Sequence, residues 1–269
     1  GRRIVILCGK GNNGGDGFVV ARLASEKSAS VEIFLLGSHA DIRGDARLNL
    51  DRARACGLVI QEVTDPDGLE GIGQSLGTAD AIVDALLGTG IAGGARGTIA
   101  GAIDQLAGAR APIVAVDVPS GLDADTGRAD GPCAGATCTV TFGLPKIGQF
   151  LYPGRGLSGR LHLVDIGLPA AAVRAEPPAA HLIAAADGAA LLPRRSPDAH
   201  KGDCGRVTLI AGSVGLTGAA TLSAVAALRI GAGLVTVGAP ESLNDVLEVK
   251  LTEAMTRPLP EVRKARCLS

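Results

Sequence analysis

The stretch that most constrains this chain lies at its start, where residues 2–23 read R-R-I-V-I-L-C-G-K-G-N-N-G-G-D-G-F-V-V-A-R-L. A β-branched apolar run (residues 4–7) enters a loop of five glycines, two asparagines and an aspartate, and a segment of helical spacing (Phe18, Val19, Ala21, Leu23) follows. The pattern predicts a strand, a tight polar loop and a helix. Glycine lets the backbone approach a ligand closely, and the free N–H groups at the helix start, expected near residues 16–19, favour an anion. A plain turn in an α/β core would use the glycines but has no need of Asn12, Asn13 and Asp16.

The same alternation continues. Strands are expected at residues 31–36, 58–63, 79–87, 112–118, 136–142 and 160–166, and helices at 41–55, 66–76 and 98–106. This predicts an α/β protein with a doubly wound, mostly parallel Rossmann-like sheet in three αβα layers. The apolar content of 46% with only 2% aromatics makes the core one of Ala, Val, Leu and Ile, which suits strands buried on both faces. In such sheets ligands sit beyond the carboxyl ends of the strands. Four loops (residues 9–17, 88–97, 117–125 and 143–148) each follow an expected strand, so their side chains converge there. Residues 168–190 dissolve into Ala and Pro and read as a linker. A second α/β module follows, with H-K-G-D at residues 200–203, a strand at 206–211, a Gly-rich loop, a helix at 219–230 and a strand at 234–237. Beyond it no further element is evident. The boundaries drawn are residues 1–180 and 186–269.

Charge narrows the partners. Lys plus Arg (26) nearly cancels Asp plus Glu (27) without a basic run, so neither nucleic acid nor an anionic membrane is implied, and a small-molecule substrate is. No apolar run approaches the ~20 residues of a membrane span. The six cysteines are scattered without close C-x-x-C pairs and read as reduced residues of a cytoplasmic protein. The chain lacks an initiating Met and starts directly on a strand, so it reads as a fragment; whether it is a homo-oligomer stays open.

Gly9, Gly11 and Gly14 satisfy the dinucleotide pattern G-x-G-x-x-G, a weak match alone. The acidic residue expected at the end of the second strand is missing: Leu35, Leu36 and Gly37 stand there and Glu32 lies at the opposite end. A nicotinamide-dependent dehydrogenase is therefore only an alternative. Side-chain oxygens of Asn13, Asp84 and Ser120, with nearby backbone carbonyls, make an all-oxygen cage suited to a hard cation rather than zinc. Asp117 ends a buried strand, where a carboxylate is costly unless paired, hydrogen-bonded or working. Lys146 is a candidate cationic partner.

These residues fall into blocks that resemble a known family. G-K-G-N-N-G-G-D-G-F (residues 9–18), D-A-L-L-G-T-G (84–90) with Arg96-Gly97 behind it, D-V-P-S-G-L-D-A-D-T-G (117–127) and T-F-G-L-P-K-I-G (141–148) closely resemble NAD(P)H-hydrate epimerases, the YjeF N-terminal domain family. The second module, with H-K-G-D-C-G-R-V-T-L-I-A-G-S-V-G-L-T-G-A-A, resembles the start of ADP-dependent NAD(P)H-hydrate dehydratases, which have a ribokinase-like fold. The chain departs from the first family in lacking a helical segment before its first strand and in the residues I-A-G-G-A after Gly90.

The resemblance implies an isomerase that inverts the C6 hydroxyl of hydrated NADH or NADPH, fused to a lyase in one bifunctional repair protein. It further implies that Asn12, Asn13, Gly14, Gly15 and Asp16, with Gly88, Thr89, Gly90, Ile91, Ala92, Gly93 and Gly94, hold the damaged cofactor. It assigns Asn13, Asp84 and Ser120 to a potassium ion and a substrate contact to Asp117. Asp117 is expected to take and return the hydroxyl proton as the ring opens or water departs, with Lys146 or a water serving the opposite face. The ADP or ATP site and the catalytic aspartate of the dehydratase family are expected to lie outside these residues, leaving no dehydratase activity. Two other readings stand beside this one: a nucleotide-binding module without turnover, and a sugar kinase suggested by the second module.

Overall fold

The chain is described by a computed structural model over residues 1–90 and 93–261. Ile91 and Ala92 of the expected substrate loop, and Cys267, lie outside the described residues. The chain divides into two compact units, Gly1–His181 and Leu182–Ser269.

In the first unit the elements run β1 (Arg3–Cys8), α1 (Asn12–Glu26), β2 (Ser30–Leu36), α2 (Gly44–Ala55), β3 (Ile60–Val63), α3 (Leu69–Leu76), β4 (Ala81–Ala85), α4 (Gly97–Ala107), β5 (Ile113–Val116), β6 (Cys138–Phe142), α5 (Gly154–Leu157), β7 (Arg160–Val164) and α6 (Ala170–Ala175). The seven strands lie in the order β3-β2-β1-β4-β5-β6-β7, every neighbouring pair parallel. Alternation along β1 explains the two layers of helices. Val5 and Leu7 face one side and pack with Ile72 and Leu76 of α3 and Ile103 and Leu106 of α4. Ile6 and Cys8 face the other and pack with Phe18 and Ala21 of α1 and Leu50 and Ala53 of α2. The sheet is doubly wound, and its strand order reverses between β1 and β4.

One expectation about the opening stretch is corrected. Helix α1 begins at Asn12, inside the glycine run and four residues before the expected start, with Gly11 as its N-cap. Gly14, Gly15 and Gly17 are buried in its first turns. A Cβ on Gly14 would lie 1.9 Å from the carbonyl oxygen of Gly9, so only glycine lets the helix sit this close to the strand end. Helix propensity opposes a helix rich in glycine by roughly 1 kcal/mol per residue, and close packing overrides it.

The second unit contains α7 (Ala185–Leu191), β8 (Arg206–Ile210), α8 (Thr217–Ile230), β9 (Leu234–Pro240), α9 (Asn244–Lys250) and β10 (Met255–Leu259). Its three strands are parallel in the order β10-β9-β8, with Val235 and Val237 packed on Ala220 and Ala224 of α8 and on Leu247. Two expectations are revised by these elements. The Ala/Pro stretch read as a linker carries two short exposed helices, α6 and α7. A further helix and strand, α9 and β10, follow β9 where the pattern gave no sign of them. Among the described residues no helix is long and apolar enough to cross a membrane.

Candidate functional site

The turn at residues 9–11 carries the chain from β1 to α1, and the first bond within the helix runs from the Gly15 amide to the Gly11 carbonyl at 3.1 Å. The amides of Asn12, Asn13 and Gly14 therefore have no acceptor within the helix. They stand at the reversal of strand order, beside the loop that leaves β4. Between the two lies a cleft of about 510 Å³ lined by Lys10, Gly11, Asn12, Asn13, Asp16, Leu86, Leu87, Gly88, Thr89, Gly90, Ile99 and Asp117.

Seven of the residues expected at the substrate thus line one cleft: Asn12, Asn13, Asp16, Gly88, Thr89, Gly90 and Asp117. Others do not. Gly14 faces Gly9 and retains only its amide for a ligand, and a Cβ on Gly15 would lie 2.9 Å from Cα of Ala46 in α2. Gly93 and Gly94, both with positive φ, lie off the cleft wall; a Cβ on Gly94 would meet the Asp130 carbonyl at 2.4 Å. Lys10, Leu86, Leu87 and Ile99 also line the cleft, beyond the residues the sequence points to. Lys10 lay within the quoted glycine motif, while the apolar residues carry no signal that separates them from core.

Asp117 follows β5 and has φ +63°, a left-handed conformation rare for a residue with a side chain. The Val118 amide donates to the Val116 carbonyl at 2.8 Å, so Asp117 is the central residue of a γ-turn. Its surroundings fix this strained geometry. The Asp117 amide donates to the Val140 carbonyl at 2.8 Å, and Gln149 Nε2 donates to the Asp117 carbonyl at 2.8 Å. Oδ1 of the carboxylate accepts from Thr141 Oγ1 and from the Phe142 amide, both at 3.1 Å, and forms an ion pair with Lys146 Nζ. Among the described residues no donor reaches Oδ2.

Lys146 Nζ also donates to Thr141 Oγ1 at 2.9 Å and to the Phe142 carbonyl at 3.1 Å. With Asp117 this accounts for all three ammonium donors. Lys146 is not among the residues lining the cleft and holds Asp117, Thr141 and the Phe142 carbonyl from behind. Asp16 does line the cleft. It shares the cleft with Asp117, and its pKa is raised by burial and then by the negative charge of Asp117.

Asp84 and Ser120 are fully buried behind the cleft floor. The Ser120 amide donates to Asp84 Oδ2 at 2.8 Å, its hydroxyl donates to Oδ1, and the Leu86 amide donates to Oδ1 at 3.3 Å. The Leu87 amide donates to Ser120 Oγ at 2.9 Å, and Asn13 Nδ2 donates to the Leu87 carbonyl at 2.9 Å. The three residues expected to share an ion are therefore knit together through Leu87. Burial raises the pKa of Asp84, against the opposing effect of its hydrogen bonds to Ser120 and Leu86. Among the described residues no cationic side chain pairs with it, and no group of three His, Cys, Asp or Glu is placed to hold a metal. One buried carboxylate amid neutral oxygens has the chemistry of a site for a hard cation of low charge.

Fold and cleft together define a doubly wound α/β protein with a polar cleft at the switch point of its sheet, the place where such sheets take ligands. Residues 1–148 match the family described as YjeF-related protein N-terminus, and residues 207–269 match NAD(P)H-hydrate dehydratase. The chain belongs to the YjeF-related family. A protein of Moorella thermoacetica called bifunctional NAD(P)H-hydrate repair enzyme Nnr is 49% identical over 260 residues, covering 97% of this chain and 49% of that protein. The Escherichia coli protein of the same name is 40% identical over 240 residues, 88% of this chain and 44% of its own length. The chain spans about half the length of the curated relatives it matches. The crystal structure of yeast ynu0 aligns with TM-score 0.49 and 25% identity over 56% of this chain and 61% of that one.

Proposed function

We propose that the first unit is an isomerase that interconverts the R and S forms of NADH or NADPH hydrated at C6 of the nicotinamide ring. The observation that carries this reading is Asp117. Asp117, clamped by Lys146 in a strained turn, and Asp16, whose pKa is raised by burial and by the charge of Asp117, line one cleft and can serve as its acid–base pair.

In the proposed sequence Asp117 accepts the proton of the C6 hydroxyl. The C6–N1 bond breaks as the C6 carbonyl forms, and Asp16 delivers a proton to N1. Rotation about C5–C6 presents the other carbonyl face, and the reverse transfers close the ring with inverted configuration. Acid–base assistance of this kind is worth roughly 10²–10⁴ in rate. The first-turn amides of α1, in residues 12–14, face the pyrophosphate. Asn13, Asp84 and Ser120 would hold a potassium ion, whose contribution is to neutralise Asp84 and fix the Leu87 loop on which the cleft depends.

The second unit would be the beginning of an ADP- or ATP-dependent dehydratase in a longer bifunctional protein, which removes the added water. The five described cysteines are unpaired, which supports a cytoplasmic location. The test is conversion of a purified epimer of hydrated NADH by the wild type and by Asp117→Asn, followed by chromatography. A binding module without turnover would leave the epimer ratio at the rate of the buffer control.

A further inference from the structure

The strand order β3-β2-β1-β4-β5-β6 is the one in which a dinucleotide lies across the switch between β1 and β4. One nucleotide then rests over β1 and β2 and the other over β4 and β5. With the reacting ring at Asp117, beyond β5, the adenosine half falls over β1 and β2, and its ribose meets the carboxyl end of β2. In proteins that bind the unphosphorylated dinucleotide an acidic side chain there takes the 2′-hydroxyl, whereas a cation accommodates a 2′-phosphate.

The end of β2 itself carries Leu35, Leu36 and Gly37, and the two acids near it are engaged by protein groups: Glu62 with Ser38 Oγ at 3.1 Å and His39 Nδ1 at 3.0 Å, and Asp41 with Lys10. Glu32 lies near the opposite end of β2, engaged with Arg3 at 2.7 Å, Ser75 at 2.9 Å and Gln61 at 3.1 Å. Gly37, just past β2, has φ +143°, and the stem of Lys10 crosses over it. A Cβ on Gly37 would lie 2.5 Å from Lys10 Cδ and 2.7 Å from Cγ. The space that a side chain would fill is therefore taken by a lysine reaching across from the β1 loop. Its ammonium stands 3.5 Å from Asp41, and the two side chains are 51% and 52% exposed. A pair this long and wet is weak, so Asp41 steadies the ammonium without saturating it. Lys10 also lines the cleft, and its stem runs toward Gly37 and Asp41 rather than over the first-turn amides where the pyrophosphate is placed.

We propose that Lys10 forms a subsite for the 2′-phosphate of the adenosine ribose, which makes the phosphorylated cofactor hydrate the preferred substrate. This rests on the epimerase reading and goes beyond it by choosing between its two substrates. The subsite is tested by calorimetric titration of the full chain with adenosine 2′,5′-bisphosphate and with 5′-AMP. The bisphosphate should bind about tenfold more tightly, the scale of one charge-assisted phosphate contact. Lys10→Met keeps the stem over Gly37 and should narrow that ratio to about twofold, and Lys10→Arg should restore it. Equal binding of the two nucleotides to the wild type overturns the proposal. So does a Lys10→Met variant that weakens both by the same factor, which would place the ammonium on the 5′ side. In turnover, the kcat/KM ratio of NADPH hydrate to NADH hydrate should fall by a similar factor, about fivefold, in Lys10→Met. A wild type that discriminates the nucleotides yet turns over neither hydrate would refute the epimerase activity and leave the subsite standing.

Discussion

Lys146→Met isolates what the clamp behind Asp117 contributes. The substitution keeps most of the stem and removes the ammonium from Asp117 Oδ1, Thr141 Oγ1 and the Phe142 carbonyl. The paired side chains are only 18% and 17% exposed, so water replaces the lost donor poorly. Breaking a fully buried pair costs about 3–5 kcal/mol and an ordinary charge-assisted hydrogen bond about 1.5–3, which puts this partly covered pair near 2–3 kcal/mol. For a unit of this size that lowers Tm by roughly 4–12 °C. Asp117 then loses the cation that orients it, and kcat/KM should fall by about 10- to 100-fold. A double-mutant cycle with Asp117→Asn, read by thermal denaturation, separates this coupling from general damage. Lys146→Met should cost under about 1 kcal/mol once Asp117 has become Asn. A coupling energy near zero, or a single variant with wild-type Tm and wild-type turnover, would refute the clamp.

Two further outcomes follow from the same geometry. Burial and Asp117 raise the Asp16 pKa, so the folded chain holds that proton more tightly than the unfolded one. This contribution is complete below about pH 3.9, the ordinary aspartate value, and is lost as pH rises through the folded pKa. Asp16→Asn should therefore melt above the wild type at pH 7, with the gap closing toward pH 4, while epimerisation slows; a gap of constant size between those pH values would contradict it. Replacing potassium by tetramethylammonium at constant ionic strength should lower both Tm and substrate affinity. At a tenfold excess over its Kd the ion is worth about 1.4 kcal/mol, and no change in either quantity would remove potassium from the account.

The parallel sheet was legible because strands buried on both faces leave short apolar runs with a polar loop after each. The convergence of residues 12, 13, 16, 88–90 and 117 follows from that topology alone. The start of α1 was not legible, because Gly14, Gly15 and Gly17 are poor helix formers and their use is a matter of contact with Gly9, Ala46 and Cys8. The γ-turn at Asp117 was equally hidden. Its sequence, V-D-V-P, names a costly carboxylate but says nothing of φ, and the restraints come from Val140, Thr141 and Gln149, more than 20 residues away. The role of Lys146 was half visible: pairing with Asp117 could be read, whereas saturation of all three donors needed coordinates. Lys10 gives no signal in the sequence because its partner surface, Gly37, is defined by an absent side chain.

Whether Asp117 carries the proton in an epimerisation is tested most directly by mixing one purified epimer of hydrated NADH with the wild type and with a folded Asp117→Asn variant. The wild type should bring the two epimers to equilibrium well ahead of the buffer control, and the variant should be slower by about 10²–10⁴. Equal rates for the two proteins, or a wild type no faster than buffer, would contradict it.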